Sequence, residues 1–166
     1  MKLTEADIKF RFIEPSFEAK GWKKVQIRKE HYFTDGKIVV LDDKVATERG
    51  KKADYILLTK KGEIQLAVIE AKDNNHSVGA GMQQAIDYAK ILDIPFAYST
   101  NGDGFIEHDF FTGKERELSL EEFPTEAELW ERYLKGKGLE GHEKEISEPY
   151  YYPPFNAKKP RYYQKI

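Results

Sequence analysis

The chain has 166 residues, 40% of them hydrophobic, a formal charge of −2 and no cysteine, which suffices for one full core and excludes disulfide frameworks, thiolate metal sites and thiol nucleophiles. No run approaches the roughly 18 apolar residues that span a bilayer, and Met1-Lys2-Leu3 leads straight into a helix start, so a soluble, cytoplasmic domain with no membrane partner is expected. The near-neutral balance hides segregation: residues 115–148 carry eleven acidic and five basic side chains, leaving 22 basic against 18 acidic elsewhere.

A helix opens the chain. Thr4 and Asp7 have capping-box spacing, and Ile8, Phe12, Ile13 and Phe17 recur along one stripe. Pro15 should bend or restart this helix and Gly21 should end it. Glu14, just before the proline, lies where the backbone is disturbed and a side chain can be aimed at something. From Trp22 to Tyr32 the alternation of Val25 and Ile27 with polar residues predicts a strand with one wet face. Asp35-Gly36 is a hairpin signal, Ile38–Leu41 the returning strand, and the polar run from Asp42 to Lys52 a loop. Basic clusters along this part, among them Arg28/Lys29 and Lys51/Lys52, are candidates for phosphate contact, although most charge runs are solvated faces.

Two strands follow, joined through Lys60-Lys61-Gly62: ADYILLT, with Asp54 near its start, and IQLAVIEAK, from Ile64 to Lys72. The second is apolar enough at its centre to be buried on both faces, and such a strand has no ordinary reason to end in a carboxylate and an ammonium. Side chains alternate along a strand, so Glu70 and Lys72 share a face while Ala71 takes the other. If the two strands pair, Asp54 reaches the same spot. Two carboxylates and a lysine converging at strand ends suit a hard divalent cation and a phosphate.

Asp73 to Gly81 reads as a loop beside Lys72, in which His76 is a possible ligand but more often would be a solvated side chain. Met82–Leu92 reads as a helix whose Ala85, Ala89 and Leu92 face the sheet, with Gln84 and Tyr88 neighbours at the stripe's edge. Phe96–Thr100 follows as a strand, completing a strand-helix-strand crossover. Asn101–Gly104 is a turn, and Phe105–Phe111 the next, antiparallel strand. Pro124-Thr125 and Glu128 mark a helix start, with Leu129, Trp130, Tyr133 and Leu134 on its apolar face. From residue 136 onward glycine, proline, tyrosine and charge suggest a linker.

Taken together, Asp54, Glu70-Ala71-Lys72 and Gln84-x-x-x-Tyr88 resemble the PD-(D/E)XK nucleases, specifically the N-terminal nuclease domain of the restriction (R) subunit of type I restriction enzymes. Glu14-Pro15, Gly21-Trp22, Tyr98-Ser99-Thr100-Asn101-Gly102 and Phe123-Pro124-Thr125 are similar to the same family, so that the likeness covers most of residues 1–135. An E-x-K triplet alone is weak, whereas the ordered set is specific. The family pattern has proline before the acid where Ala53 stands here, with the ligand position kept.

The resemblance implies an α/β fold with a restriction-endonuclease-like core, a central mixed sheet flanked by helices. It implies a nuclease domain over 1–135 and, over 136–166, a linker toward an absent ATP-driven translocase, with Pro160–Gln164 resembling the start of the adenine-recognising motif in which Gln164 takes part. No phosphate-binding loop occurs in these residues, so ATP would serve only the full-length subunit. The implied activity is Mg²⁺-dependent cleavage of double-stranded DNA without sequence recognition of its own, in a complex with methyltransferase and specificity subunits. Asp54, Glu70 and the Ala71 carbonyl would hold Mg²⁺, Lys72 would stabilise developing charge, Gln84 and Tyr88 would contact DNA, and Glu14 would support the metal or its water. A non-catalytic DNA- or subunit-anchoring domain and a stand-alone nuclease such as a junction resolvase are the competing readings.

Overall fold

A computed structural model describes residues 2–33, 38–41, 44–47, 51–60 and 64–139. The chain divides into two compact units, Met1–Tyr133 and Leu134–Ile166, and the first contains the sheet. The expected turns at Asp35-Gly36 and Lys61-Gly62, and the stretch with Gln164, lie outside the described residues.

The first helix is α1 (Glu5–Ile8), opened by the expected capping box: the Asp7 amide donates to Thr4 Oγ1 at 3.2 Å and the Thr4 amide to Asp7 Oδ2 at 3.0 Å. It does not break before Pro15. A π-helical turn over Lys9–Ile13, in which the Glu14 amide donates to the Lys9 carbonyl, carries it into α2 (Glu14–Ala19) with Pro15 in the first turn. The π turn shifts the hydrogen-bond register by one residue just before Pro15, which accommodates the missing proline N–H within the run of helix. Gly21, at φ +83°, ends it in the left-handed region.

Eight strands follow among the described residues. Six form one sheet in the order β1-β4-β5-β6-β7-β8: β1 (Ile27–Phe33), β4 (Lys51–Leu58), β5 (Gln65–Ala71), β6 (Phe96–Thr100), β7 (Phe105–Asp109) and β8 (Glu115–Leu118). β5 and β6 are parallel and every other neighbour is antiparallel. The parallel pair is bridged by α3 (Met82–Leu92), the crossover expected from the sequence. β2 (Ile38–Leu41) and β3 (Lys44–Thr47) form a separate two-stranded sheet.

The strand pattern departs from expectation at four places. Val25 does not alternate into a sheet face but stands 76% exposed, in a 3₁₀ turn over Lys24–Gln26. Gln26 is buried in its place, accepting the Lys23 amide at 2.9 Å and donating to the Leu58 carbonyl, so local side-chain bonding overrides the apolar alternation. Ile38–Leu41 pairs with Lys44–Thr47, residues of the expected loop, instead of returning on β1. β7 stops at Asp109, whose Oδ1 accepts the Phe111 amide at 2.8 Å and turns the chain. The polar β8, exposed at its first three residues, had no apolar signature to announce it.

Alternation along the central strands separates two cores. Tyr55, Leu57, Ile69, Phe96, Tyr98 and Phe105 pack with Ile8, Ile13, Phe17, Phe123 and with Leu129 of α4 (Glu126–Lys137) on one face. Ile56, Leu58, Val68 and Ala97 pack with Met82, Ala85 and Ala89 of α3 on the other. Each fully buried large side chain among these is worth about 1.5–3 kcal/mol. Gly102, at φ +94°, brings the turn after β6 against the first helix; a Cβ there would lie 2.9 Å from Ile8 Cδ1 and 3.0 Å from Phe12 Cδ2.

Candidate active site

β4 and β5 run antiparallel with Tyr55 opposite Ile69, so one position further along Asp54 comes level with Glu70. The two acids meet as the alternation predicts. The Asp54 amide donates to Glu70 Oε1 at 3.3 Å, and the Ala71 amide donates to Asp54 Oδ2 at 2.9 Å. Both side chains lie in the interior, Asp54 6% and Glu70 2% exposed. Two carboxylates rarely share so dry a place unless something compensates them. Burial, reinforced by the charge of Asp54, pushes the Glu70 carboxyl up to about 9, so that without an added cation the pair holds a proton at neutral pH.

Lys72 lies one residue past β5, its amide bonded to the Thr100 carbonyl at 2.9 Å. Its Nζ donates to Gln84 Oε1 at 3.3 Å, and Gln84 Nε2 donates in turn to the Tyr88 phenol at 2.7 Å. The predicted helix-edge pair is thus joined to the predicted lysine in one line of hydrogen bonds. The Tyr88 ring is held by an edge-on contact with Phe33 of β1, 4.9 Å between centroids. α3 itself is seated against the acid: at Gly81, its N-cap residue, a Cβ would be tightly placed, 3.2 Å from Glu70 Cβ and 3.2 Å from Ser99 Oγ. Ser99 accepts the Gly81 amide at 3.0 Å and donates to the Val78 carbonyl at 2.7 Å, while Asn101 Nδ2 donates to the His76 carbonyl at 2.7 Å. The end of β6 therefore ties down the loop between β5 and α3.

Two further sequence candidates have partners of their own. The Glu14 carboxylate accepts the Tyr55 phenol at 2.9 Å and pairs with Lys29 Nζ at 3.1 Å. Tyr55 and Asp54 are adjacent on β4 and leave it on opposite faces, so Glu14 reaches the neighbour of the acid instead of the acid. Burial, then the bond to Glu14, holds the Tyr55 phenol well above its ordinary range, and it remains a donor. His76 pairs through Nδ1 with Asp73 Oδ1 at 2.8 Å, half-exposed, and is a loop-ordering residue.

One participant was not anticipated. Lys9, at the start of the π turn, places Nζ 2.6 Å from Asp54 Oδ1 and 3.0 Å from Glu5 Oε1. Burial works to lower its pKa, but the hydrogen bonds to Asp54 and Glu5 prevail and hold it above the ordinary lysine value. The sequence carries no signal for it, since a glutamate and a lysine four apart on a helix ordinarily form a solvated pair.

Among the described residues no three His, Asp or Glu side chains gather to hold a metal ion. What the site offers is two carboxylates, with a hard-oxygen character that suits a cation keeping much of its water, and a buried repulsion that a cation would relieve. Asp54, Glu70 and the backbone at Ala71, already fixed to Asp54, fit that role.

No protein-family model matches the sequence. The chain is 43% identical, over 98% of its length, to the type I restriction enzyme EcoAI endonuclease subunit of Escherichia coli, and spans 20% of that relative. It also matches a solved fragment of an HsdR subunit described for a type I restriction enzyme of Vibrio vulnificus YJ016, with a TM-score of 0.76, 39% identity and coverage of 92% of this chain and 30% of that one. The six-stranded mixed sheet with helices on both faces is the fold of that fragment. Among the described residues no helix is long and apolar enough to cross a membrane. Across nearly its whole length, the chain is similar to the endonuclease (R) subunits of type I restriction enzymes, and it spans about a fifth of the length of the curated relative it matches.

Proposed function

We propose that this chain is the nuclease domain of its subunit, a PD-(D/E)XK hydrolase that cleaves phosphodiester bonds of double-stranded DNA with Mg²⁺ and reads no sequence itself. The observation that carries this is the meeting of Asp54 and Glu70 beside the Lys72–Gln84–Tyr88 line. A phosphodiester is anionic, so a nucleophile is repelled and the transition state gathers charge that the site must neutralise. Asp54, Glu70 and the Ala71 carbonyl would hold Mg²⁺, which when bound supplies Lewis-acid polarisation of the phosphate and acidifies water. Lys72 would stabilise the charge that develops on the phosphate or position the attacking water. Gln84, which already accepts from Lys72, orients it, and with the Tyr88 phenol contacts the DNA backbone beside the scissile bond. Glu14 acts at one remove, fixing Tyr55 next to Asp54 on β4.

In the assembled enzyme this domain would work with a translocase in the same subunit and with methyltransferase and specificity subunits that choose the site, in the cytoplasm. Plasmid nicking with Mg²⁺ supplied tests the reading: Asp54→Ala should lose cleavage by at least about 10²-fold while keeping its fold. Equal cleavage by Asp54→Ala and the unaltered chain refutes it. DNA binding indifferent both to Mg²⁺ and to loss of Glu70, with no cleavage, would make this an anchoring domain instead.

A further inference from the structure

The two oxygens of Asp54 are differently committed. Oδ2 accepts the Ala71 amide, a bond made by the strand itself, whereas Oδ1 is held by the Lys9 ammonium, 2.6 Å away and contributed by the first helix. The oxygen free to change partner is the one on the lysine. A divalent ion held by Asp54 and Glu70 would compete with the ammonium for that oxygen, since two cations within a few ångströms of one another repel strongly. Lys9 also has somewhere to go. Glu5 Oε1 lies 3.0 Å from the same Nζ, and Glu5 is 45% exposed, so the ammonium can keep this partner on a flexible four-carbon stem while releasing Asp54.

We infer that Lys9 is the resident counter-ion of this site: its ammonium occupies Asp54 Oδ1 while no metal is bound and withdraws to Glu5 when a divalent cation arrives. The inference rests on the metal-binding reading above and adds to it a competition built into the chain. It stabilises the empty site, where the buried charge of Asp54 would otherwise lack a counter-ion. It lowers affinity for the ion. It also makes the first helix responsive to loading, because Lys9 begins the π turn that leads to Glu14.

The probe is Mn²⁺ alone, titrated into the 166-residue chain and followed by loss of the free-ion EPR signal, with circular dichroism to establish folding. Lys9→Met should bind Mn²⁺ on the order of tenfold more tightly than the unaltered chain, since a full opposing charge is removed. Its thermal midpoint in chelator should fall, and Mn²⁺ should raise it by more than it raises the unaltered chain's. Lys9→Gln, which keeps a hydrogen bond to Asp54 without the charge, should shift affinity in the same direction and covers the case that the methionine variant does not fold. Glu5→Gln, which removes the alternative seat, should weaken Mn²⁺ binding about two- to threefold. Folded Lys9 variants that bind Mn²⁺ as weakly as the unaltered chain, or more weakly, overturn the inference while leaving the metal site intact. Failure of the unaltered chain itself to bind Mn²⁺, matched by Asp54→Ala, removes the metal reading and this inference with it.

Discussion

Glu70→Gln should make the metal-free protein more stable at alkaline pH, although it removes a residue that the active-site reading requires. In the folded chain the Glu70 carboxyl is raised to about 9 by burial and by Asp54, against an ordinary value near 4.5, so the folded state keeps a proton that the unfolded state gives up. The stability Glu70 lends is thus fully present below about pH 4.5 and is lost as pH climbs toward 9. Each pH unit in that window costs about 1.4 kcal/mol, so at pH 7.5 the loss reaches ~4 kcal/mol at most. Relaxation of the pair toward water reduces it, and an effect of ~2–4 kcal/mol is expected. Glutamine reproduces the protonated form: its carbonyl can still accept the Asp54 amide and its NH₂ can donate to the Asp54 carboxylate. Thermal unfolding with chelator at pH 5, 6.5 and 8 should show the midpoint of the unaltered chain falling steadily relative to the variant, with a gap of roughly 5–15 °C at pH 8. Parallel curves, or a variant less stable than the unaltered chain at pH 8, would refute the account of why Glu70 is protonated.

Three further outcomes are expected. Arg132→Met should destabilise by about 3–5 kcal/mol in urea, because Arg132 and Arg116 compensate the 1%-exposed Glu107, with Arg132 also 3.0 Å from Asp109 and over the Phe96 ring. Burial alone would raise the Glu107 pKa, but bonds from Arg132, Arg116 and Tyr98 lower it, so the stability Glu107 contributes is present above the ordinary carboxylate range and fades as pH falls through its folded value; pairing Arg132→Met with Glu107→Gln should recover part of the loss. Gly102→Ala should cost about 1–3 kcal/mol in the same measurement, from the left-handed backbone and the contact with Ile8. Lys72→Met should reduce Mg²⁺-dependent nicking by about 10²-fold or more while shifting stability by under about 1 kcal/mol, since its described bond is a long one to Gln84.

The parts of the fold legible in the sequence were those with a single dominant cause. α3 and β6 follow from alanines at helical spacing beside a short run opened by Phe96, Ala97 and Tyr98, and their crossover from chain order alone. Asp54 and Glu70 could be brought together on paper because period-two alternation and an antiparallel pair leave few places for them to point. Glu14 could not be placed that way: it acts through Tyr55, and one residue of shift along β4 moves a partner to the other face. Lys9 is 45 positions from Asp54, and nothing in an i,i+4 ion pair says that one of its members also turns inward. Gln26 and β8 were missed for the converse reason, since side-chain bonding and edge pairing sustain them without an apolar pattern.

The closeness of Gly81 to Glu70 has a consequence for how such a site can vary. Position 81 is where the reactive strand and the helix bearing Gln84 and Tyr88 touch, so closely that even a methyl group would require its neighbours to give by a few tenths of an ångström. Any larger residue must push the helix outward, and three and seven residues later that displacement arrives at the amide and the phenol. Substitution at this spot would therefore alter the spacing between acid and helix before it altered any charge, and cleavage could be detuned from a position that carries no functional group at all.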